Sequence, residues 1–374
     1  MYRHDGASQR NLGGLKLSPD RRSSSTSRSN TRARLPEPQT QGQSTRMPPR
    51  PTTSEYFLSA HVIPILAVGL ATVGLNILTG LTGQLSLGTA GFMCVGAFGT
   101  YNLMLRVPDY LMSLPVALLL SGIFAGLVGV VFGLPAIRIK GFYLLVSTLA
   151  AQYFVWWFFN SYAWFLNYES SGVVAIAPKF YDYWGLGNFL GVDMQGYPAR
   201  YLLALVVCIG LSYFAKNLLR SNTGRNFMSV RDRDIAASVM GISVPRAKLL
   251  AFFISCFYCG VAGGIYSFLY IGNVDLMIYE VDRSFTILFM LIIGGLGSIS
   301  GSWLGAIFVY EFPIVFTWVG DFIFQGAFNT AVVENVSNMV YGVFIIALLI
   351  REPGGFAALW ATTKQKLRMW PYPH

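Results

Sequence analysis

The chain has 374 residues, 54% hydrophobic and only 12% charged, with a mean hydropathy of +0.51 and a formal charge of +10. Soluble domains carry about twice that density of charge, so a single water-soluble core is excluded. The composition calls for an all-α, polytopic helical membrane protein, because many apolar runs approach the roughly 20 residues a helix needs to cross a bilayer.

Residues 1–50 hold ten Lys/Arg against Asp5, Asp20 and Glu37, and so carry seven of the ten net charges. The stretch "RRSSSTSRSNTRARLPEPQTQGQSTRMPPR" has too little apolar surface to fold, and a disordered basic tail is expected over 1–52. It is not a signal peptide, since the apolar run begins only near Phe57. An anchor holding the N-terminus in the cytoplasm is the simpler reading of its charge, ahead of an arm for nucleic acid. A membrane domain over 53–356 follows, then a short basic cytoplasmic tail over 357–374 with Lys364, Lys366 and Arg368.

Expected spans are 57–78, 111–134, 141–160, 201–219, 249–271, 284–298, 303–319 and 333–350, about eight in all, with an extra apolar stretch at 85–106. Arg138 and Lys140, the basic residues between Arg220 and Lys248, and the C-terminal tail mark cytoplasmic loops. The 161–200 segment fits the outer face. A cytoplasmic residue 50 and a cytoplasmic residue 138 demand an even number of crossings, yet three apolar stretches lie between them, so one is expected to be a broken or re-entrant helix.

The segment "GLNILTGLTGQLSLGTAGFMCVGAFG" (74–99) is the place for it. Glycine weakens a helix interior by about 1 kcal/mol relative to alanine, and broken backbone at membrane depth survives only inside protein or along a cavity. Asn76, Thr79, Gly80, Gly83, Gln84, Ser86 and Thr89 are the candidate translocation-pathway or broken-helix residues. Close helix packing on small residues is the alternative. Further clusters stand at "YCGVAGGIYSF" (258–268) and "GGLGSISGSWLGA" (294–306). Within the spans, Gln152, beside Ser147 and Thr148, and Glu311 are further pathway candidates, Glu311 with a structural ion pair or helix cap as its other reading. "FVWWFFNSYAWF" (154–165) suits an interfacial aromatic belt.

"RDRDIAASVMGISVPRAKLL" (231–250) lies between two apolar runs and reads as a short amphipathic helix. Asp232 and Asp234 stand where a helix N-terminus favours acids. Ala236, Ala237, Met240 and Gly241 form a small apolar face, and Pro245 ends the helix. Cys94, Cys208, Cys256 and Cys259 all lie in apolar runs as packing residues, and no His completes a metal set. Neither a catalytic residue nor a metal site is expected. With no G-x-x-x-x-G-K-[ST], ATP binding through a P-loop is excluded.

The segment "GLNILTGLTGQLSLGTAGFMCVGAFGTY", followed in order by "GLPAIRIKGFYLLVSTLA" (133–150), "AASVMGISVPRAKLLAFFISCFYCGVAGGIY" (236–266), "GGLGSISGSWLGA" and "YGVFIIALLIREPGGF" (341–356), closely resembles the inner-membrane permeases of branched-chain amino acid and urea-type ABC importers, the LivM-like subunit. Thr89, "ESSGVVAIAP" (169–178) and Glu352 depart from the family pattern. The resemblance implies the ABC importer permease fold in the bacterial inner membrane, and a small polar solute: a branched-chain amino acid, urea or an amide, or a related small acid. It implies no cofactor in this chain, with ATP and magnesium bound by one or two cytoplasmic ABC ATPase subunits. A periplasmic substrate-binding protein and a related LivH-like permease subunit complete the assembly, and no nucleic acid is involved. It also makes residues 236–244, Ile242 among them, the helix that couples to the ATPase. A stand-alone secondary transporter or channel is the alternative, and a scaffold without transport a third.

Overall fold

The structure is a computed structural model that describes residues 58–107, 113–136, 142–169, 171–176, 197–324 and 354–369, with isolated helical positions in 335–350. The expected tail over 1–52, the loop of Arg138 and Lys140, and much of the span at 333–350 lie outside the described residues.

A π-helical turn, Leu58–Val62, leads into α1 (Ile63–Thr82), with Pro64 in the first turn where its missing N–H costs nothing. α1 runs four residues past the expected end at Leu78. The hydroxyl of Thr82 donates back to Leu78 O at 2.6 Å, and the helix stops only at Gly83, left-handed at φ 69°. Residues 83–88 are non-helical, and α2 (Thr89–Arg106) follows. α3 (Leu114–Ala136), α4 (Phe142–Ser161) and α5 (Tyr197–Arg220) come next, then α6 (Asn222–Asp232) and α7 (Asp234–Val239). α8 (Val244–Ile265) continues as a π-helical segment to Ile271. A 3₁₀ turn (Met277–Tyr279) precedes α9 (Val281–Gly294), α10 (Ile299–Phe324) and α11 (Gly355–Met369). Two three-residue strands, β1 (Val173–Ala175) and β2 (Asn273–Asp275), pair antiparallel with Val174 opposite Val274.

The protein is an all-α helical membrane protein. Among the described residues, five helices are long and apolar enough to cross a bilayer: Ala60–Thr82, Leu114–Pro135, Pro198–Arg220, Val244–Ile271 and Ile299–Phe316. The expected span at 284–298 is a 14-residue helix, α9, about 21 Å long. It is shorter than the ~30 Å hydrocarbon layer.

α1 is the central helix, nearly all of it buried, and α8 packs along α1, α2 and α3. The α2–α8 crossing rests on glycine: a Cβ on Gly96 would collide with the backbone of Gly260. α3 runs antiparallel to α8, since Gly122 lies beside Val261 and Gly133 beside Phe252. The C-terminal end of α1 lies at the α6 end of the bundle, where Arg231 meets Gly80 O. α2 finishes at the other end, where the Arg106 guanidinium donates to Trp164 O at 2.6 Å and lies 3.6 Å from the Trp164 ring centroid. The broken helix expected in this region is the α1–α2 break at residues 83–88.

The expected tail boundary at 356/357 falls inside α11, which packs on α9 and α10: a Cβ on Gly355 would press on Ile293 O.

Candidate functional site

The site is built on backbone polar groups that a break leaves unpaired. Ending one helix and starting another inside a packed bundle exposes carbonyls at one terminus and N–H groups at the other. No water competes for these groups in an apolar interior, so side chains must meet them.

The start of α2 is capped by other helices. Its own N-cap residue, Gly88, has no side chain. From α4, the Thr148 hydroxyl accepts the Leu87 N–H at 3.0 Å and Gln152 Oε1 accepts the Gly91 N–H at 2.8 Å. From α9, the Ser284 hydroxyl accepts the Ala90 N–H at 2.8 Å and donates to Gln152 Oε1 at 3.1 Å. Gln152 Nε2 donates to Tyr279 O at 2.9 Å, so the amide joins α2, α4 and the start of α9. Burial pushes the Tyr279 hydroxyl above its ordinary pKa and keeps it protonated, and it donates to Gly263 O at 3.0 Å.

The end of α1 is held to the second glycine turn. Asn76 Nδ2 donates to Ser298 O at 2.9 Å and to the Ser302 hydroxyl at 2.8 Å, while its Oδ1 accepts the Gly297 N–H at 2.8 Å. Gly80 makes room for this: a Cβ there would strike Asn76 Oδ1 and Gly297 N. Thr79 donates to Gln84 O at 3.1 Å at the entry to the break, and Ser86 Oγ accepts the Gly88 N–H at 3.3 Å within it. Gln84 donates to the Thr82 hydroxyl at 2.9 Å, but its buried Oε1 has no hydrogen-bond partner among the described residues.

The residues picked from 76–89 thus line one break, and Gln152 joins them. Asn76, Thr79, Gln84, Ser86 and Thr89 are all buried, whereas Gly83 is exposed. Gln152 also walls a cavity of about 320 Å³ with Tyr153, Trp156, Tyr279, Glu280, Val281 and Asp282. Glu311 stands apart from the break: its carboxylate lies 3.1 Å from His61 Nδ1, across 250 residues of sequence. Ser284, Tyr279, Ser298 and Ser302 were not singled out as site residues. For the three serines the only sequence signal is a small hydroxyl beside a helix boundary, and Tyr279 meets Gln152 through its backbone carbonyl.

The amphipathic helix is shorter than expected. α7 ends at Val239, and Gly241, left-handed at φ 84°, turns the backbone. Pro245 lies in the first turn of α8 and begins that helix, where the sequence reading had it end the previous one. The apolar face also differs. Ala237 is fully buried and Ile242 is half-buried against the core, while Ala236, Met240 and Gly241 are exposed. Ile235 and Val239 join Met240 as large exposed apolar side chains at 75%, 83% and 69%.

Comparison with known proteins follows the same lines. A family model described as the permease component of the branched-chain amino acid transport system matches residues 58–349. The chain belongs to this family. It is 29% identical over 248 residues to the high-affinity branched-chain amino acid transport system permease protein LivM of Salmonella typhimurium (strain LT2), and equally to that of Escherichia coli (strain K12). Each match covers 60% of this chain and 56% of the relative, so the chain aligns with little more than half the length of these relatives. It is 26% identical over 286 residues to the autoinducer 2 import system permease protein LsrC of Enterobacter sp. (strain 638), covering 73% of this chain and 75% of that one. No solved structure matches. The matched region of the permease family contains the break, its caps from α4 and α9, and α7.

Proposed function

We propose that this chain is a membrane-spanning permease subunit of an ATP-driven ABC importer in the bacterial inner membrane. It takes up a small polar solute, a branched-chain amino acid, urea or an amide, or a related small acid, delivered by a periplasmic substrate-binding protein. One or two cytoplasmic ABC ATPase subunits bind ATP and magnesium, and a related LivH-like permease completes the bundle. The chain itself is a transport subunit, not an enzyme.

The observation that carries this reading is the α1–α2 break with its caps supplied by α4 and α9. Hydrogen bonds that join three helices at one point couple their movements, and a solute path through a bundle needs such a point. The buried Gln84 Oε1 and the cavity beside Gln152 offer polar contacts for a solute passing the break. The exposed Ile235, Val239 and Met240 give the ATPase an apolar patch on the basic α6–α8 connection. An isolated apolar patch on a charged loop suits a protein partner.

The basic connection and α11 lie on the cytoplasmic side in this reading, and the C-terminus with them. Leu58 then stands at the opposite end of α1, a helix of about 30 Å.

The test is co-purification with the candidate ATPase and binding protein, with ATPase activity measured in lipid. Stimulation by binding protein loaded with leucine, urea or a small acid supports the importer and names the solute. A chain that never associates with an ATPase refutes it.

A further inference from the structure

Arg231 lies in the last turn of α6, three residues before α7. Its guanidinium Nη1 donates to Gly80 O at 2.6 Å, joining residues 151 apart. Gly80 O belongs to the final turn of α1, where carbonyls lack helical partners and the dipole favours a cation. Two further backbone positions close around the same side chain. A Cβ on Gly83, the left-handed stop of α1, would lie 3.4 Å from Arg231 Cγ. A Cβ on Gly297, in the α9–α10 turn, would lie 3.5 Å from its Nη1. Both glycine turns therefore meet at one side chain, Gly83 at its stem and Gly297 at its guanidinium, and Asn76 bonds the Gly297 turn to α1.

The route outward is short. Phe227 and Val230 bury the inner face of α6, and Arg233 alone separates α6 from α7 with its exposed Ile235, Val239 and Met240. A force on α7 reaches Gly80 through two residues and one hydrogen bond.

We propose that Arg231 is the positioning residue that transmits movement of the α6–α7 connection to the broken helix. It does so by holding Gly80 O, in the last turn of α1, to α6 beside the α9–α10 turn. This rests on the importer reading, in which α7 meets the ATPase.

The test uses the full complex with its ATPase and binding protein in proteoliposomes. Arg231→Met keeps the stem beside Gly83 and removes the donors, and Arg231→Lys restores one charged donor. The expected result for Arg231→Met is normal assembly and retained basal ATPase activity. Solute taken up per ATP should fall about 10-fold, within the range of ordinary coupling between sites, and Arg231→Lys should recover most of it. An unchanged uptake-to-ATP ratio in Arg231→Met, even with a lowered melting temperature, makes Arg231 a structural cap only and overturns the proposal. Should Arg231→Met fail to assemble, amide exchange in the wild-type complex decides. Nucleotide binding must alter exchange in residues 80–91, and unaltered exchange overturns the proposal. Failure of the wild-type chain to bind an ATPase would instead remove the importer reading itself.

Discussion

Gln152 caps a helix to which it does not belong: its Oε1 accepts the Gly91 N–H at 2.8 Å across 61 residues of sequence. The same amide donates to Tyr279 O and accepts from Ser284, so its oxygen and its nitrogen are both engaged at the point where three helices meet. A buried N–H that loses such a partner costs about 1–3 kcal/mol. Gln152→Leu is expected to lower stability by that order and to reduce uptake more than 10-fold. Gln152→Glu, protonated in so buried a place, keeps an acceptor for Gly91 and an O–H donor for Tyr279 O, so it should retain more of both. Thermal unfolding in detergent, paired with uptake in vesicles, separates the two variants; equal behaviour would count against the capping role.

Gly80 and Gly83 should fail for different reasons. A methyl on Gly80 displaces the Asn76–Gly297 contact, and overpacking of this kind costs about 1–3 kcal/mol. Gly83→Ala meets Arg231 only at van der Waals distance, and its cost comes from the left-handed φ of 69°, about 1 kcal/mol. Gly80→Ala should therefore be the worse variant by melting temperature.

On α7 the exposed and buried positions should separate. Ile235→Asp, Val239→Asp and Met240→Asp are expected to abolish ATPase co-purification with little change in melting temperature, because these side chains face outward. Ala237→Asp places a carboxylate in a fully buried position and should destabilise the chain instead. Loss of the ATPase in Ala237→Asp alone would restore the face read from sequence.

His61 and Glu311 form one pair, each partly exposed. A double-mutant cycle with His61→Ala and Glu311→Ala should give a coupling of about 0.5–3 kcal/mol in stability, with uptake by Glu311→Gln close to wild type. Loss of uptake in Glu311→Gln at normal stability would return Glu311 to the pathway.

Much of this was legible because glycine and amide residues are rare and costly in apolar helices. The 74–99 segment announced a break, and Gln152 stood out as a polar side chain in an apolar span, read as a pathway residue and not as a cap for the break. What the sequence concealed was distance: nothing local to Ser284 or Ser302 says that their hydroxyls meet Ala90 or Asn76, some two hundred residues away. On α7, Ala236, Met240 and Gly241 of the face read from sequence are exposed, and Ala237 is not. Small size suggested that Ala237 would lie in an interface, and it does, but against its own bundle. Glu311 drew notice as a charge in an apolar span; its partner, His61, carried no signal beyond being a lone histidine.

The most direct test of the whole account is uptake of radiolabelled solute into proteoliposomes holding this chain, its partner permease and the ATPase, with loaded binding protein outside and ATP at the ATPase face. The account predicts accumulation that requires both ATP hydrolysis and the binding protein, and that stops with a non-hydrolysable analogue. Uptake by this chain alone, driven by an ion gradient without an ATPase, would contradict it and make the protein a stand-alone transporter.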